Sequence, residues 1–534
     1  MRTVMLNLTR FGDLLQSQAV IHALRQKGHE VGLICLQNFV EAARLLDGVS
    51  FVSALPGGGF LADLDAGWPR ALARLHDWRE SVCLEFGPDE VLNLTSTTSA
   101  RLLAGLLARN TPTKGLPRGF ALDDHGFGVA GSAWTAFFEA STRKRGCSPF
   151  NIVDVFLRAS ALQSPARYAL ASPDQTVLHA AGQRLQTLSA PFSAQREVTG
   201  YVALQLGASD PRRQWPTPFF AAIGRKLFDQ FGLLPILLGA EHERALADAY
   251  LREGAPGLHL AGQTSLTELA AVLTHSRLLI TNDTGTMHLA AGLGIDCLAV
   301  FLATAQPWDT GPYREGCCSL EPAMPCHPCG FGAQCPSRNR CLEQIDPEAV
   351  WPLVQGYLSG KGWTCPPETH TQARVWRAER DAWGYMDLVS LSGHDAEDRT
   401  VWIRVQRHIY RQLLDIVDGV SSAPIELPKA LAAGLSPELR ARNSVVLEQA
   451  DGLLHLLQEQ CRLTPIRPSD RLKRQILATC QRLGLLFDEH DSFNALSRLW
   501  QTLSQERGAD MNSLLAFTER LRASLTAWNC SLKS

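Results

Sequence analysis

The run Cys326-His327-Pro328-Cys329-Gly330-Phe331-Gly332-Ala333-Gln334-Cys335, followed by Cys341, places four thiols within sixteen residues as C-x2-C-x5-C-x5-C. Tetrahedral thiolate coordination suits zinc or iron. Gly330, Gly332 and the neighbouring prolines let the loop fold around one ion. A closed four-thiolate site leaves no position for substrate, so such a metal would be structural. The other reading is four free thiols in a loop. Cys317 and Cys318 lie near enough in sequence to replace a lost ligand.

Three further segments carry groups that could act on a substrate. In Asn7-Leu8-Thr9-Arg10-Phe11-Gly12-Asp13-Leu14-Leu15 a strand passes through a glycine turn into a helix. Asp13 there is either a helix cap or a carboxylate at a sheet edge that accepts a proton from a hydroxyl. Thr281-Asn282-Asp283-Thr284-Gly285-Thr286-Met287-His288 repeats the layout. Its helix-start N–H groups, with the hydroxyls of Thr284 and Thr286, suit a pyrophosphate. An ordinary turn with Asp283 as cap and His288 as a packed core residue is the alternative. Gly207-Ala208-Ser209-Asp210-Pro211-Arg212-Arg213-Gln214-Trp215-Pro216 offers a hydroxyl and two guanidinium groups to phosphate oxygens. It would otherwise be a solvated basic loop.

The elements that position these segments are short apolar runs alternating with helical patterns. Thr3–Leu8, Glu30–Leu36 and Glu90–Leu94 read as strands, with a helix over Leu14–Gln26. The pattern restarts with strands at Tyr201–Leu206, Leu234–Leu238, Leu278–Thr281 and Cys297–Leu302, and helices at Phe219–Phe231 and Leu266–Leu273. Such alternation predicts an α/β chain with parallel sheets. Two Rossmann-like domains, 1–165 and 198–360, would be joined by the polar stretch Ala171–Glu197, with the cysteine-rich loop 317–345 in the second. Beyond Cys365-Pro366-Pro367 the apolar residues recur at helical spacing, as in Trp402, Val405, Ile409, Leu413 and Ile416. That predicts an all-α helical domain over 366–534.

A chain of 534 residues predicts three or four domain-sized units. A net charge of −2 gives no overall drive toward nucleic acid, so an anionic ligand needs a local site. No apolar run approaches a membrane span, and the N-terminal run lacks a signal-peptide core. The expectation is a cytoplasmic protein.

Together the three turns resemble glycosyltransferase family nine, the bacterial lipopolysaccharide heptosyltransferases, over residues 1–360. The resemblance implies the GT-B architecture of two Rossmann-like domains, the first for acceptor and the second for nucleotide-sugar donor. It implies an inverting transfer of a sugar, heptose from ADP-heptose, to a lipopolysaccharide core or a protein. Asp13 would be the catalytic base. Asp283, Thr284, Gly285 and His288 would form the nucleotide-sugar turn, with Ser209 and Arg213 at the donor phosphates. Family members usually carry Lys where Arg213 stands, which keeps the charge and changes its shape. Glu243 matches an acidic residue near the nucleoside, and Thr264 falls near the adenine pocket.

The family needs no catalytic metal. Asp63-Leu64-Asp65 reads as a solvated surface turn rather than a metal motif. The cysteine loop resembles the iron site of protein-modifying heptosyltransferases, with Cys326, Cys329, Cys335 and Cys341 as ligands. The helical extension would serve peripheral membrane contact, oligomer formation or acceptor docking. The competing expectation is a non-catalytic nucleotide-sugar-binding assembly protein with a structural metal site.

Overall fold

The computed structural model describes residues 1–112, 115–143, 148–163, 165 and 167–533. Cys147, one of the scattered cysteines, lies outside them. Contacts divide the chain into two units: Met1–Arg118 with Asn151–Gly393, and Gly119–Phe150 with His394–Ser534.

The first unit holds two sheets. In the first sheet β1 (Arg2–Leu6), β2 (Glu30–Leu36), β3 (Val49–Leu55), β4 (Glu90–Asn93) and β5 (Arg118–Gly119) run in the order β3-β2-β1-β4-β5. Leu6 pairs with Ile34 on one side and Asn93 on the other, so the central strands end at one edge. Strands covered by helices on both faces become continuous apolar runs. Val4, Leu6 and Ile34 accordingly pack with Trp78, Val82, Phe86 and Leu107 in one core.

The second unit contributes β6 (Ala121–Leu122) and β7 (Gly128–Val129), which pair with each other. The second sheet of the first unit comprises β8 (Gly200–Gln205), β9 (Leu233–Leu238), β10 (Leu258–His259), β11 (Ser276–Asn282), β12 (Cys297–Val300), β13 (Cys318–Pro322), β14 (Ala373–Arg380) and β15 (Met386–Ser390). Their order is β10-β9-β8-β11-β12-β13-β14-β15. The strands are parallel through β13, and β14 and β15 are antiparallel. This is the mixed α/β arrangement of two Rossmann-like halves.

Several expectations differ from what is observed. The polar stretch 171–197 is mostly the helix Gln175–Ser193, whose buried residues Ala181, Leu185 and Ser189 lie four apart. Two of those three are small, so the stripe carries little hydrophobic signal. The boundary at 366 falls before β14 and β15, so residues 373–390 belong to the second sheet. The Asp63-Leu64-Asp65 triplet lies in the helix Gly57–Ala66, where Asp63 pairs with Arg74, rather than in a turn.

The second unit is helical around Asp398–Val417, Pro437–Leu463, Asp470–Asp488, Asn494–Arg507 and Met511–Lys533. Trp402 stacks on Trp528 at 5.4 Å between centroids, with Phe493 against both. Residues 119–150 join this unit rather than the first sheet's domain. Asp418 accepts from the backbone N–H of Ala133 at 2.6 Å, and Asp415 accepts from Trp134 Nε1 at 2.8 Å. Burial pushes the Asp418 carboxyl above the usual range. Among the described residues no helix is long and apolar enough to cross a membrane.

Candidate active site at the carboxyl edges of the two sheets

The turn after β1 and the turn after β11 touch. A Cβ on Gly12 would stand 3.0 Å from His288 Cδ2 and 3.4 Å from Gly285 Cα. A Cβ on Gly285 would overlap the Phe11 ring. Glycine at both positions lets two helix starts approach within backbone contact. The turn that carries half-buried Asp13 thereby lies against the start of the helix Gly285–Gly292. Arg10 holds the N-cap position of the Phe11–Gln16 helix without a side-chain cap bond. Asp13 sits in the first turn instead, its carbonyl accepting from Asn7 Nδ2 at 3.2 Å. Buried His288 is held from behind, because Tyr168 O–H donates to its carbonyl at 2.9 Å.

Asn282 and Asp283 tie the loop after β8 to the end of β11. Asn282 Nδ2 donates to the carbonyls of Leu206 at 2.9 Å and Gly207 at 3.2 Å, and its Oδ1 accepts from Trp215 N at 2.9 Å. The Arg213 guanidinium is 9% exposed, pairs with the Asp283 carboxylate, and donates to the Asp283 carbonyl at 3.1 Å. Its other arm reaches exposed Ser209 Oγ at 3.4 Å. Arg212, by contrast, is half-buried and pairs with Asp210 at 2.8 Å. One arginine of this loop is therefore partly exposed, and the other is buried.

Glu243 lies across the glycines of two strand ends. A side chain at Gly207 would collide with its carboxylate, and one at Gly239 would stand 3.0 Å from Oε2. Glu243 Oε2 accepts from Ala240 N at 2.8 Å and Gln205 Nε2 at 3.3 Å. Half-buried Thr264 follows in the loop that Gly262 N ties to the Gly239 carbonyl at 2.8 Å. Ser265 and Glu268 then open the helix Leu266–Thr274 with a reciprocal capping box. Thr284 is half-buried, its hydroxyl 3.4 Å from that of Thr281. Thr286 departs from expectation. Its hydroxyl is buried and donates inward to Gln205 Oε1 at 3.1 Å, so the phosphate-binding capacity rests on the helix-start N–H groups.

Sequence reasoning passed over Gln205 and Asn282. Both are polar residues at the ends of otherwise apolar strands, fully or nearly buried. A buried amide in such a run is the signal that could have found them.

The cysteine loop follows β13. Cys326, Cys329 and Cys335 are half-buried and Cys341 is buried. Burial, followed by the neighbouring thiols, pushes Cys329 and Cys341 up. The Ser337 hydroxyl and the Asn339 N–H, 3.1 Å from its sulfur, pull Cys335 down. Among the described residues, no three His, Cys, Asp or Glu side chains converge as a metal site. Cys329 Sγ faces the Cys326 carbonyl at 3.8 Å, and Cys335 Sγ lies 3.5 Å from Ser337 Oγ. Cys317 and Cys318 are fully buried in the sheet, where Cys317 Sγ accepts from Cys297 N at 3.3 Å. Buried in β13 (Cys318) and just before it (Cys317), they are held away from the loop.

Residues 158–339 match the family model described as Glycosyltransferase family 9 (heptosyltransferase). Lipopolysaccharide heptosyltransferase 2 of Salmonella typhimurium is 25% identical over 177 residues, 32% of this chain and 49% of that protein. Lipopolysaccharide heptosyltransferase 2 of Escherichia coli is 30% identical over 116 residues, 21% and 32% of the two chains. The chain thus spans half or less of the length of these curated relatives. The structure of E. coli ADP-heptose lps heptosyltransferase II superposes with a TM-score of 0.50 and 16% identity, covering 68% of this chain and 99% of that one. The fold is that of the heptosyltransferases.

Proposed function

We propose that this chain, which carries a glycosyltransferase family 9 segment over residues 158–339 within a GT-B fold, is an inverting glycosyltransferase. Its donor is a nucleotide sugar, ADP-heptose as the leading candidate, and its acceptor a lipopolysaccharide core or a protein. The observation that supports the reading is the contact of Gly12 with Gly285 and His288, which brings the turn that carries Asp13 against the helix start that follows β11.

In this mechanism Asp13 accepts the proton of an acceptor hydroxyl as that oxygen attacks the anomeric carbon. The bond to the nucleoside diphosphate breaks on the opposite face, and the configuration inverts. The leaving diphosphate is stabilised by the N–H groups that open the Gly285–Gly292 helix and by Arg213. Arg213 must exchange part of its pairing with Asp283 for phosphate oxygens, with Ser209 beside it. Glu243 receives hydroxyls of the nucleoside, and Thr264 borders the base. No catalytic metal enters.

The four loop thiols fit a structural zinc or iron by donor chemistry, each being able to serve as thiolate. Cys326, Cys329, Cys335 and Cys341 would hold it, and it would order the loop rather than act on substrate. The helical unit serves acceptor docking, membrane-surface contact or oligomer formation, on the cytoplasmic side. A screen of purified protein for nucleoside diphosphate release from a panel of nucleotide sugars, ADP-heptose included, tests the function. Binding without release for every donor would favour the non-catalytic reading.

A further inference from the structure

The Gln205 side chain is 5% exposed and joins two parts of the donor site. Its Nε2 donates to Glu243 Oε2 at 3.3 Å, and its Oε1 accepts from Thr286 Oγ1 at 3.1 Å. The amide cannot be turned round without loss. A carboxylate only accepts, so Nε2 must face Glu243 and Oε1 must face the hydroxyl. The same Glu243 oxygen takes the Ala240 N–H at 2.8 Å. Oε2 is thus held by two donors, and the carboxylate is turned so that Oε1 lies over side-chain-free Gly207.

We propose that Gln205 is a positioning residue for the donor: it presents one oxygen of Glu243 to the nucleoside and locks that carboxylate to the helix start that receives the diphosphate. The inference rests on the proposed donor site and goes beyond it by coupling its two ends. Gln205 touches no substrate. It acts through Glu243 on one side and through Thr286, in the first turn of the Gly285–Gly292 helix, on the other. Without the amide, Glu243 keeps its capping bond to Ala240 and loses its second anchor, so the carboxylate can swing away from the ligand.

The test is calorimetric titration of the full chain with ADP, for wild type, Gln205→Leu, Glu243→Ala and the double variant. Gln205→Leu should weaken ADP about tenfold, the scale of a hydrogen bond to a charged group. The double variant should bind no more weakly than Glu243→Ala alone, because Gln205 acts through that residue. In turnover, the donor KM should rise while kcat and the acceptor KM hold. Gln205→Glu keeps the acceptor for Thr286 but removes the donor to Glu243. It should lose at least as much affinity, and it serves if the leucine variant fails to fold. Additive losses, or wild-type affinity in the Gln205 variants beside weakened Glu243→Ala, would overturn the role of Gln205 alone. Wild-type protein that binds none of the nucleoside diphosphates would overturn the donor-site reading beneath it.

Discussion

Gly12 and His288 come from opposite Rossmann-like halves, yet a Cβ on the glycine would stand 3.0 Å from the imidazole Cδ2. That separation is tighter than ordinary contact, so the methyl group of alanine would push the two turns apart by a few tenths of an ångström. Gly12→Ala should therefore fold normally and lower turnover about tenfold through misplacement of Asp13. Steady-state kinetics beside a thermal melt would check it; unchanged kcat would show that the contact does not set the geometry.

Asp13→Asn should leave the fold and donor affinity intact and lower turnover by ~10²–10⁴-fold, the scale of a lost general base. The N-cap position belongs to Arg10, so no cap is removed with the charge. Donor titration together with single-turnover rates measures both quantities. Full activity in the variant would make Asp13 a structural residue.

Arg213→Ala should cost stability as well as donor affinity. It would strand the buried Asp283 carboxylate without its counter-ion, a loss of about 3–5 kcal/mol. Arg213→Lys should recover part of the stability but not the reach to both the Asp283 carbonyl and Ser209. Denaturant melts of the two variants decide this. His288→Ala, which leaves that pair in place, should weaken nucleotide binding with a smaller change in the melt.

The helical unit should respond to acid through Asp418. Burial raises its folded carboxyl above the ordinary value, so the folded state binds that proton more readily than the unfolded chain. This group's contribution is present at pH below the ordinary carboxylate value and is lost as pH rises through the raised folded value. Asp418→Asn should flatten the pH dependence of stability across that window. Melts of both proteins on either side of the window read it directly, and parallel curves would count against it.

Protein purified without added metal should carry about one zinc or iron per chain if Cys326, Cys329, Cys335 and Cys341 coordinate. Single serine replacements should each lower the metal content and the melting temperature. Fully buried at the start of β13 and just before it, Cys318 and Cys317 should not blunt that effect. Elemental analysis with thiol titration checks it; four titratable thiols and no metal would leave an ordinary loop.

The alternation of apolar runs with helical spacing determined the parallel strands at the centre of the two sheets. Local hydrophobic pattern is sufficient where strands are covered on both faces, as at Glu30–Leu36. The strand-glycine-helix turns around Asp13 and Asp283 were legible for the same reason, since each is a local conformational unit. The helix Gln175–Ser193 escaped because its buried face is largely small residues, and β14 with β15 because charged residues such as Arg374, Arg377 and Glu379 interrupt their apolar pattern. Nothing local could reveal that Gly12 meets His288, that Arg213 is neutralised by Asp283, or that Gln205 reaches both Glu243 and Thr286. Those pairs are separated by 38 to 276 residues and exist only because the strand order of each sheet gathers their carboxyl ends along one edge.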